Sequence, residues 1–174
     1  MAERTAFHDP GDFAFVGALE AASAALGADL RGLGPEDFAA SPDSLTTVSG
    51  GYDETGWRYF ELWGAAGPRV EHLRRCPAAA RACAAVPGLV NAGFSLLRPG
   101  THLYPHRGEL SGVLRCHLAL VVPAGDCGLH IGAVTRAWQA GRCLVFDDRF
   151  EHEAWNHGAG DRVVLLVTFE HAGR

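Results

Sequence analysis

The chain has 174 residues, of which 48% are hydrophobic and 20% charged, as is typical of one globular domain with its own core. Its formal net charge of −5 at pH 7 gives no electrostatic basis for binding nucleic acid. We therefore expect a single domain over 1–174, with an N-terminal helical segment (1–44) and a β-rich core (45–174).

No apolar run reaches the ~20 residues that span a bilayer, and the N-terminus lacks the basic head and apolar block of a signal peptide. The five cysteines are an odd number and form no CxxC pair, so reduced thiols are expected and a zinc site is not. These features predict a cytoplasmic protein with no membrane partner.

The N-terminal segment is rich in alanine and glycine. Phe13–Leu26 has apolar residues near the helical period and is predicted as one amphipathic helix. Leu30–Asp43 carries Gly, Pro and Asp and is predicted to be a connector. Leu45–Val48 is predicted as a short strand, and the aromatic-rich stretch Gly56–Trp63 as a longer one.

A helical pattern runs from Pro68 to Val86, but Pro77 interrupts it. The sequence therefore predicts two pieces, Pro68–Arg75 and Pro77–Val86, with Pro77 at the first position of the second helix. From Leu89 onward, short apolar runs alternate with turn residues, as in a sandwich or barrel of the jelly-roll kind. The predicted strands are Asn91–Leu97, Thr101–His106, Val113–Val122, Gly128–Ile131, Val134–Trp138, Arg142–Phe146, Glu151–Trp155 and Arg162–Phe169.

Two of the nine histidines, His106 and His152, lie on predicted strands in polar surroundings. Two imidazoles facing one cavity, with open coordination positions, are the core of a non-haem iron site. In many such sites a carboxylate two residues after the first histidine completes the ligand set, and here that position is Gly108. Asp148, four residues before His152, is a candidate to orient a ligating imidazole.

Polar residues also interrupt the apolar strands. Arg115 and His117 alternate on a core strand, where each would be costly without a partner. A bound carboxylate would supply that partner, and a buried ion pair with an acidic side chain is the alternative. Arg162, at the start of another apolar strand, also requires a partner if it is buried. Ser95 interrupts an apolar strand too, but a serine in a strand usually has no functional role.

Four motifs, in this order, give the chain a recognisable pattern over about residues 56 to 170. It resembles the aspartyl/asparaginyl β-hydroxylase family of iron(II)- and 2-oxoglutarate-dependent oxygenases. The motifs are Phe94-Ser-Leu-Leu-Arg-Pro-Gly-Thr-His-Leu-Tyr-Pro-His-Arg-Gly108, Leu114-Arg-Cys-His-Leu118, Trp138-Gln-Ala-Gly141 and Val145-Phe-Asp-Asp-Arg-Phe-Glu-His-Glu-Ala-Trp155, with Arg162 beyond.

The resemblance implies a double-stranded β-helix (jelly-roll or cupin-like) with supporting helices, and an enzyme that uses Fe(II), 2-oxoglutarate and O2. His106 and His152 match the iron ligands, and Gly108 fits a family pattern in which the carboxylate ligand is missing. The remaining matches are Ser95 and Arg162 to the pair that holds the distal carboxylate of 2-oxoglutarate, Arg115 and His117 to residues that bind a carboxylate beside the iron, either of 2-oxoglutarate or of the substrate, Asp148 to an acid behind the ligands, and Trp63 to an aromatic near the substrate.

The implied reaction is hydroxylation, at the β-carbon, of an aspartyl or asparaginyl residue or a related amino-acid or peptide substrate, coupled to decarboxylation of 2-oxoglutarate to succinate. Two alternatives stay open: a halogenase that uses the vacancy at Gly108, and a non-catalytic jelly-roll module that binds a small acid. The chain is short and lacks the helical-repeat region of the large animal hydroxylases, so a folded protein domain is not the expected substrate. A carrier-bound intermediate is a further candidate, and the oligomeric state is left open.

Overall fold

The computed structural model describes residues 6–40, 46–47 and 56–171, with the backbone alone at 46–47. Its N-terminal part contains the strand β1 (Phe7–His8) and the helices α1 (Ala14–Ala21) and α2 (Ser23–Arg31). One continuous helix over Phe13–Leu26 was therefore a wrong prediction: the helix breaks at Ala22, and its second half runs on to Arg31. No Ser, Thr, Asp or Asn is available to cap either helix N-terminus, at Phe13 or Ala22.

The predicted connector holds a short 3-10 turn (Pro35–Asp37) and the two-residue strand β2 (Ala39–Ala40). Of the predicted strand Leu45–Val48, only β3 (Thr46–Thr47) lies among the described residues; Leu45 and Val48 are outside them.

The middle of the chain begins with β4 (Trp57–Gly64) and β5 (Gly67–Pro68). Two helices follow, α3 (Val70–Arg75) and α4 (Pro77–Ala84), so the predicted interruption at Pro77 is confirmed. Pro77 opens α4 because it has no N–H to leave unpaired in the first turn.

The predicted run of strands is confirmed within a few residues at each end. The strands are β6 (Leu89–Leu97), β7 (Thr101–Gly108), β8 (Val113–Val121), β9 (Cys127–Ile131), β10 (Val134–Ala137), β11 (Cys143–Phe146), β12 (His152–Asn156) and β13 (Arg162–Glu170).

The strands form two antiparallel sheets. The major sheet has the order β1-β11-β8-β13-β6-β4-β2, with β5 paired to the outer part of β4; the minor sheet has the order β10-β9-β12-β7-β3. The predicted jelly-roll architecture is therefore confirmed. Sequence neighbours such as β12 and β13 lie in different sheets, as they do when a chain winds between two facing layers.

Both faces of the major sheet are buried, which is why β13 is an almost unbroken apolar run. Its outer face packs against the four helices through a core that includes Leu165, Val167 and Phe94. Its inner face meets the minor sheet through a second core that includes Val164, Leu166 and Leu129. The polar residues singled out from the sequence lie in the gap between the two sheets. No helix in the described part of the chain is long and apolar enough to cross a membrane.

Candidate active site

His106 and His152 are direct cross-strand partners on β7 and β12. Their ring centroids are 4.2 Å apart with the planes tilted by 54°, and both side chains are buried. The sequence separates them by 46 positions (152 − 106), so strand pairing alone brings the two imidazoles together. The predicted pair is thus one site on two adjacent strands.

Main-chain carbonyls fix the tautomer of both rings. Nδ1 of His106 donates to the carbonyl oxygen of Tyr104 (2.7 Å), and Nδ1 of His152 donates to that of Phe150 (2.9 Å). A carbonyl oxygen only accepts, so the proton is on Nδ1 and the lone pair is on Nε2. Burial, with His106 alongside, lowers the pKa of His152 to about 4, and burial also lowers the pKa of His106. Both rings are neutral near pH 7, the form that binds a metal ion.

Gly108 lies in close contact with Asp148. The main-chain N–H of Gly108 donates to the carbonyl oxygen of Asp148 (2.7 Å). A Cβ at position 108 would lie 2.2 Å from a carboxylate oxygen of Asp148, so this arrangement admits only glycine. In the part of the chain that the structure describes, no cluster of three or more His, Cys, Asp or Glu residues is placed to hold a metal ion. A metal site here would rest on the two histidines alone.

Asp148 forms a buried ion pair with Arg115, whose Nε donates to its carboxylate. Of the two partners considered for Arg115, the structure therefore supplies the acidic side chain. The orientation of the imidazoles, predicted for Asp148, comes instead from the carbonyls of Tyr104 and Phe150. Asp148 is adjacent to the site through Arg115 and Gly108 rather than through a histidine.

Among the described residues, Arg162 has no anionic partner in the site. Its side chain is 2% exposed, and neither Nε nor Nη1 has a hydrogen-bond partner among the described residues. The guanidinium lies 4.6 Å from the ring centroid of Trp138. Burial lowers the pKa of Arg162 to about 10, which still leaves it charged at neutral pH. A buried, charged and unpaired guanidinium favours binding of an anion, and its planar fork suits a carboxylate.

Two further polar groups lie near Arg162. Trp57 Nε1 donates to the hydroxyl oxygen of Ser95 (3.1 Å), so the hydroxyl hydrogen of Ser95 remains available to a ligand. Both ring nitrogens of His117 are buried without a partner among the described residues. Burial, with Arg162 and Arg115 nearby, lowers the pKa of His117 well below its usual value, so this ring is also neutral.

Six of the eight residues predicted from the sequence line a single cavity between the sheets. Apolar side chains from both sheets complete its wall. The lining residues are Trp57, Ser95, Leu103, His106, Arg115, His117, Leu129, Phe146, His152, Ala154, Arg162 and Leu166.

Trp63, which was predicted to lie near the substrate, is not among the residues that line this cavity, whereas Trp57 is. Strict alternation along β4 would put both tryptophans on one face. A β-bulge between Glu61 and Trp63 reverses the phase, so Trp63 packs against the helix-covered core while Trp57 faces the histidines. The alternation of aromatic residues along β4 could have identified Trp57 as facing the cavity, but it does not indicate the bulge.

The architecture defines the class first: this is the double-stranded β-helix of cupins and oxygenases, carrying a two-histidine cavity. Among solved structures, a Pseudomonas putida prolyl-4-hydroxylase aligns with 88% of each chain at a TM-score of 0.53 and 18% identity. A Trichoplax adhaerens prolyl hydroxylase in complex with a peptide fragment of hypoxia inducible factor aligns over 86% of this chain and 78% of that one (TM-score 0.54, 13% identity). At these identities the likeness establishes the fold.

The sequence comparison identifies the family. The family model described as aspartyl/asparaginyl beta-hydroxylase matches residues 28–172, and the chain belongs to this family. It is 37% identical over 166 residues to an ornithine lipid ester-linked acyl 2-hydroxylase of Rhizobium tropici, covering 93% of this chain and 59% of that protein. It is 33% identical over 123 residues to the human aspartyl/asparaginyl beta-hydroxylase, covering 66% of this chain and 16% of that protein. The chain thus spans well under two thirds of these relatives.

Proposed function

We propose that the protein is an iron(II)- and 2-oxoglutarate-dependent dioxygenase that hydroxylates a C–H bond of a small organic substrate. One observation carries the proposal: two neutral histidines with free Nε2 lone pairs share a cavity with a buried arginine that has no anionic partner among the described residues. Family membership supports the same activity.

The residues fit the two groups that the activity requires. His106 and His152 would hold Fe(II) through Nε2, since Nδ1 of each is occupied by a carbonyl. Arg162 and the hydroxyl of Ser95 would bind the distal carboxylate of 2-oxoglutarate. Bound Fe(II) would supply oxygen activation coupled to decarboxylation of 2-oxoglutarate to succinate. The chain itself positions the reactants and excludes water by means of Leu103, Leu129 and Phe146.

The names of the relatives indicate a broad substrate class. The names of the relatives include aspartyl/asparaginyl residues and an ester-linked acyl chain of a lipid. We infer that the substrate presents an acidic amino-acid unit or an acyl unit, with hydroxylation next to a carbonyl group. Short aspartyl and asparaginyl peptides, free amino acids and N- or O-acyl amino acids form the test panel.

Succinate release measured by NMR, with added Fe(II), 2-oxoglutarate, O2 and each member of the panel, tests the activity. His106→Ala and His152→Ala should each abolish succinate formation. His130→Ala is the control, because His130 is hydrogen-bonded to Thr135 on β10 and is not among the residues that line the cavity. Normal succinate formation by either of the first two variants would refute the assignment. Absence of decarboxylation by the wild type with every compound would favour a non-catalytic binding module.

Product mass spectrometry in the presence of chloride separates hydroxylation from halogenation. The carboxylate of Asp148 fills the space beside Gly108, so a chloride ion at that place would overlap it. We therefore expect products that gain oxygen (16 Da) and none that gain chlorine.

A further inference from the structure

A second group of polar side chains lies on the same face of the major sheet, further along the strands. Thr168 on β13 is paired directly with Asn91 on β6 and, on its other side, with Arg115 on β8. Directly paired residues of an antiparallel sheet point to the same face, which here is the inner one. Thr168 and Asn91 therefore continue the surface that carries His117 and Ser95.

Thr168 and Asn91 begin a row of polar side chains that lies at the opposite end of β13 from Arg162, the residue proposed to bind 2-oxoglutarate. Along β13, Arg162 comes first, Leu166 is paired with His117, and Thr168 is paired with Arg115. Six residues of strand separate Arg162 from Thr168 by about 20 Å. The two side chains adjoin the cavity through Arg115, which lines the cavity and is paired with Thr168.

Both side chains are buried with an unused polar atom. Asn91 is 6% exposed and Thr168 is 0% exposed. Neither Oδ1 of Asn91 nor Oγ1 of Thr168 has a hydrogen-bond partner among the described residues. Buried polar atoms are nearly always paired, so two unused atoms on neighbouring strands point to a missing ligand.

A tyrosine completes the row. The ring of Tyr59 lies directly over Gly93, where a Cβ would come within 2.3 Å of Cζ and 2.5 Å of the phenol oxygen. Gly93 stands between Asn91 and Ser95 on β6, so the absence of a side chain there lets the phenol reach the row. Desolvation raises the pKa of Tyr59, which keeps the phenol a neutral donor.

The charge of the row restricts the ligand. Its one cation, Arg115, is already paired with Asp148, unlike the unpaired Arg162. The unused atoms are one acceptor, Asn91 Oδ1, and one hydroxyl, which can donate or accept. A neutral group that offers both a donor and an acceptor satisfies them, and a secondary amide does so with its N–H and its C=O.

We propose that Tyr59, Asn91 and Thr168 form a substrate subsite that binds a secondary amide group. The amide N–H donates to Oδ1 of Asn91, and the amide oxygen accepts from the hydroxyl of Thr168. Calling this molecule the substrate rests on the proposed oxygenase function. An ester at the same place has no N–H and leaves Oδ1 of Asn91 unpaired, and a carboxylate finds no unpaired cation.

Calorimetric binding of two matched probes, the α-(N-methylamide) and the α-methyl ester of L-aspartic acid, tests the subsite, because only the first contains a secondary amide. The wild type should bind the amide about tenfold more tightly than the ester, because the ester leaves one buried acceptor unpaired. Asn91→Leu should remove that preference. Thr168→Val should weaken the binding of both probes, because both have a carbonyl oxygen, and Thr168→Ser, which retains the hydroxyl, should restore it. Equal binding of both probes by the wild type, no binding of the amide, an unchanged preference in Asn91→Leu or unchanged affinities in Thr168→Val would overturn the proposal.

Two control measurements separate this proposal from the proposed function. Thermal unfolding of Thr168→Val should occur at the same or a higher temperature, because an unpaired buried hydroxyl is removed; a large decrease would assign the hydroxyl a structural role and overturn the subsite. Binding of 2-oxoglutarate should be unchanged in Thr168→Val. Loss of that binding would place the row in the cosubstrate site and refute the subsite alone, whereas a wild type that binds the amide but never decarboxylates 2-oxoglutarate would refute the oxygenase function alone.

Discussion

The guanidinium of Arg162 lies 4.6 Å from the ring of Trp138, and its Nε and Nη1 have no hydrogen-bond partner among the described residues. An aromatic face attracts a cation but does not neutralise it. The pair therefore keeps a buried positive charge in place without using up its hydrogen-bonding capacity. That arrangement suits the carboxylate-binding role proposed for Arg162.

Replacing Arg162 by methionine separates binding from stability. We expect the affinity for 2-oxoglutarate to fall by about 100-fold, since a charge-assisted bidentate contact worth about 3 kcal/mol is lost. Stability should stay the same or rise, because an unpaired buried charge is replaced by an apolar side chain of similar length. Calorimetry with 2-oxoglutarate and thermal unfolding check both parts. Arg142→Met, which removes a surface arginine paired with Glu20, is the control; a strongly destabilised Arg162→Met would contradict the reasoning.

Trp138 should act as a positioning residue for Arg162. Trp138→Leu removes the aromatic face, and a desolvated cation–π contact of about 1–2 kcal/mol predicts a KM for 2-oxoglutarate raised about tenfold. The kcat at saturating 2-oxoglutarate should change much less. Trp138→Phe keeps a ring and should recover most of the affinity. If the Leu and Phe variants had the same KM, the ring would be only a packing element.

Because Gly108 lies so close to Asp148, we expect the stability losses caused by substitutions at these two positions to be non-additive. Gly108→Ala should destabilise the fold by about 1–3 kcal/mol, because the new methyl group overlaps a buried carboxylate. In the double variant Gly108→Ala/Asp148→Ala the overlap is gone, so the loss should be smaller than the sum of the single losses by about 1 kcal/mol or more. Urea unfolding measures all three variants. Gly17→Ala in α1, where nothing lies within 4 Å, is the control and should not destabilise; additive losses would argue against the overlap.

The thiols of Cys76 and Cys83 should be unreactive in the folded protein. Burial raises the pKa of each to about 11. The thiolate is the reactive form, so a raised pKa means less of it at pH 8, and reactivity should grow only as the pH approaches 11. Iodoacetamide at pH 8 followed by peptide mass spectrometry should find both unmodified, and both modified after unfolding in guanidinium. Rapid labelling of the native protein would show that these sites open locally.

The sequence was most informative at positions where burying a polar or charged side chain costs free energy. Arg115, His117 and Arg162 interrupt apolar strands, and all three line the cavity. His106 and His152 were found as a motif, and their pairing follows from the order of strands in a jelly roll. Such residues can be recognised because the cost of burying them requires a partner or a ligand.

Other features depend on geometry that one sequence does not reveal. The bulge in β4 shifts the phase by one residue after Glu61 and turns Trp63 away from the face that carries Trp57. The break at Ala22 lies in a run of good helix formers, so no local residue marks it. The carbonyls that orient both imidazoles belong to the main chain, which every residue has. Asn91 and Thr168 are ordinary strand residues until the register places their unused atoms side by side.

The direct pairing of His106 with His152 has a mechanical consequence. Side chains alternate between the two faces of a strand, so sliding β7 past β12 by a single residue would turn one imidazole outward. Both imidazoles therefore point into the cavity in only one alignment of these two strands. A divalent ion bound by both rings would stabilise that register of β7 and β12. The amide protons of these two strands would then exchange with solvent more slowly than any others in the minor sheet.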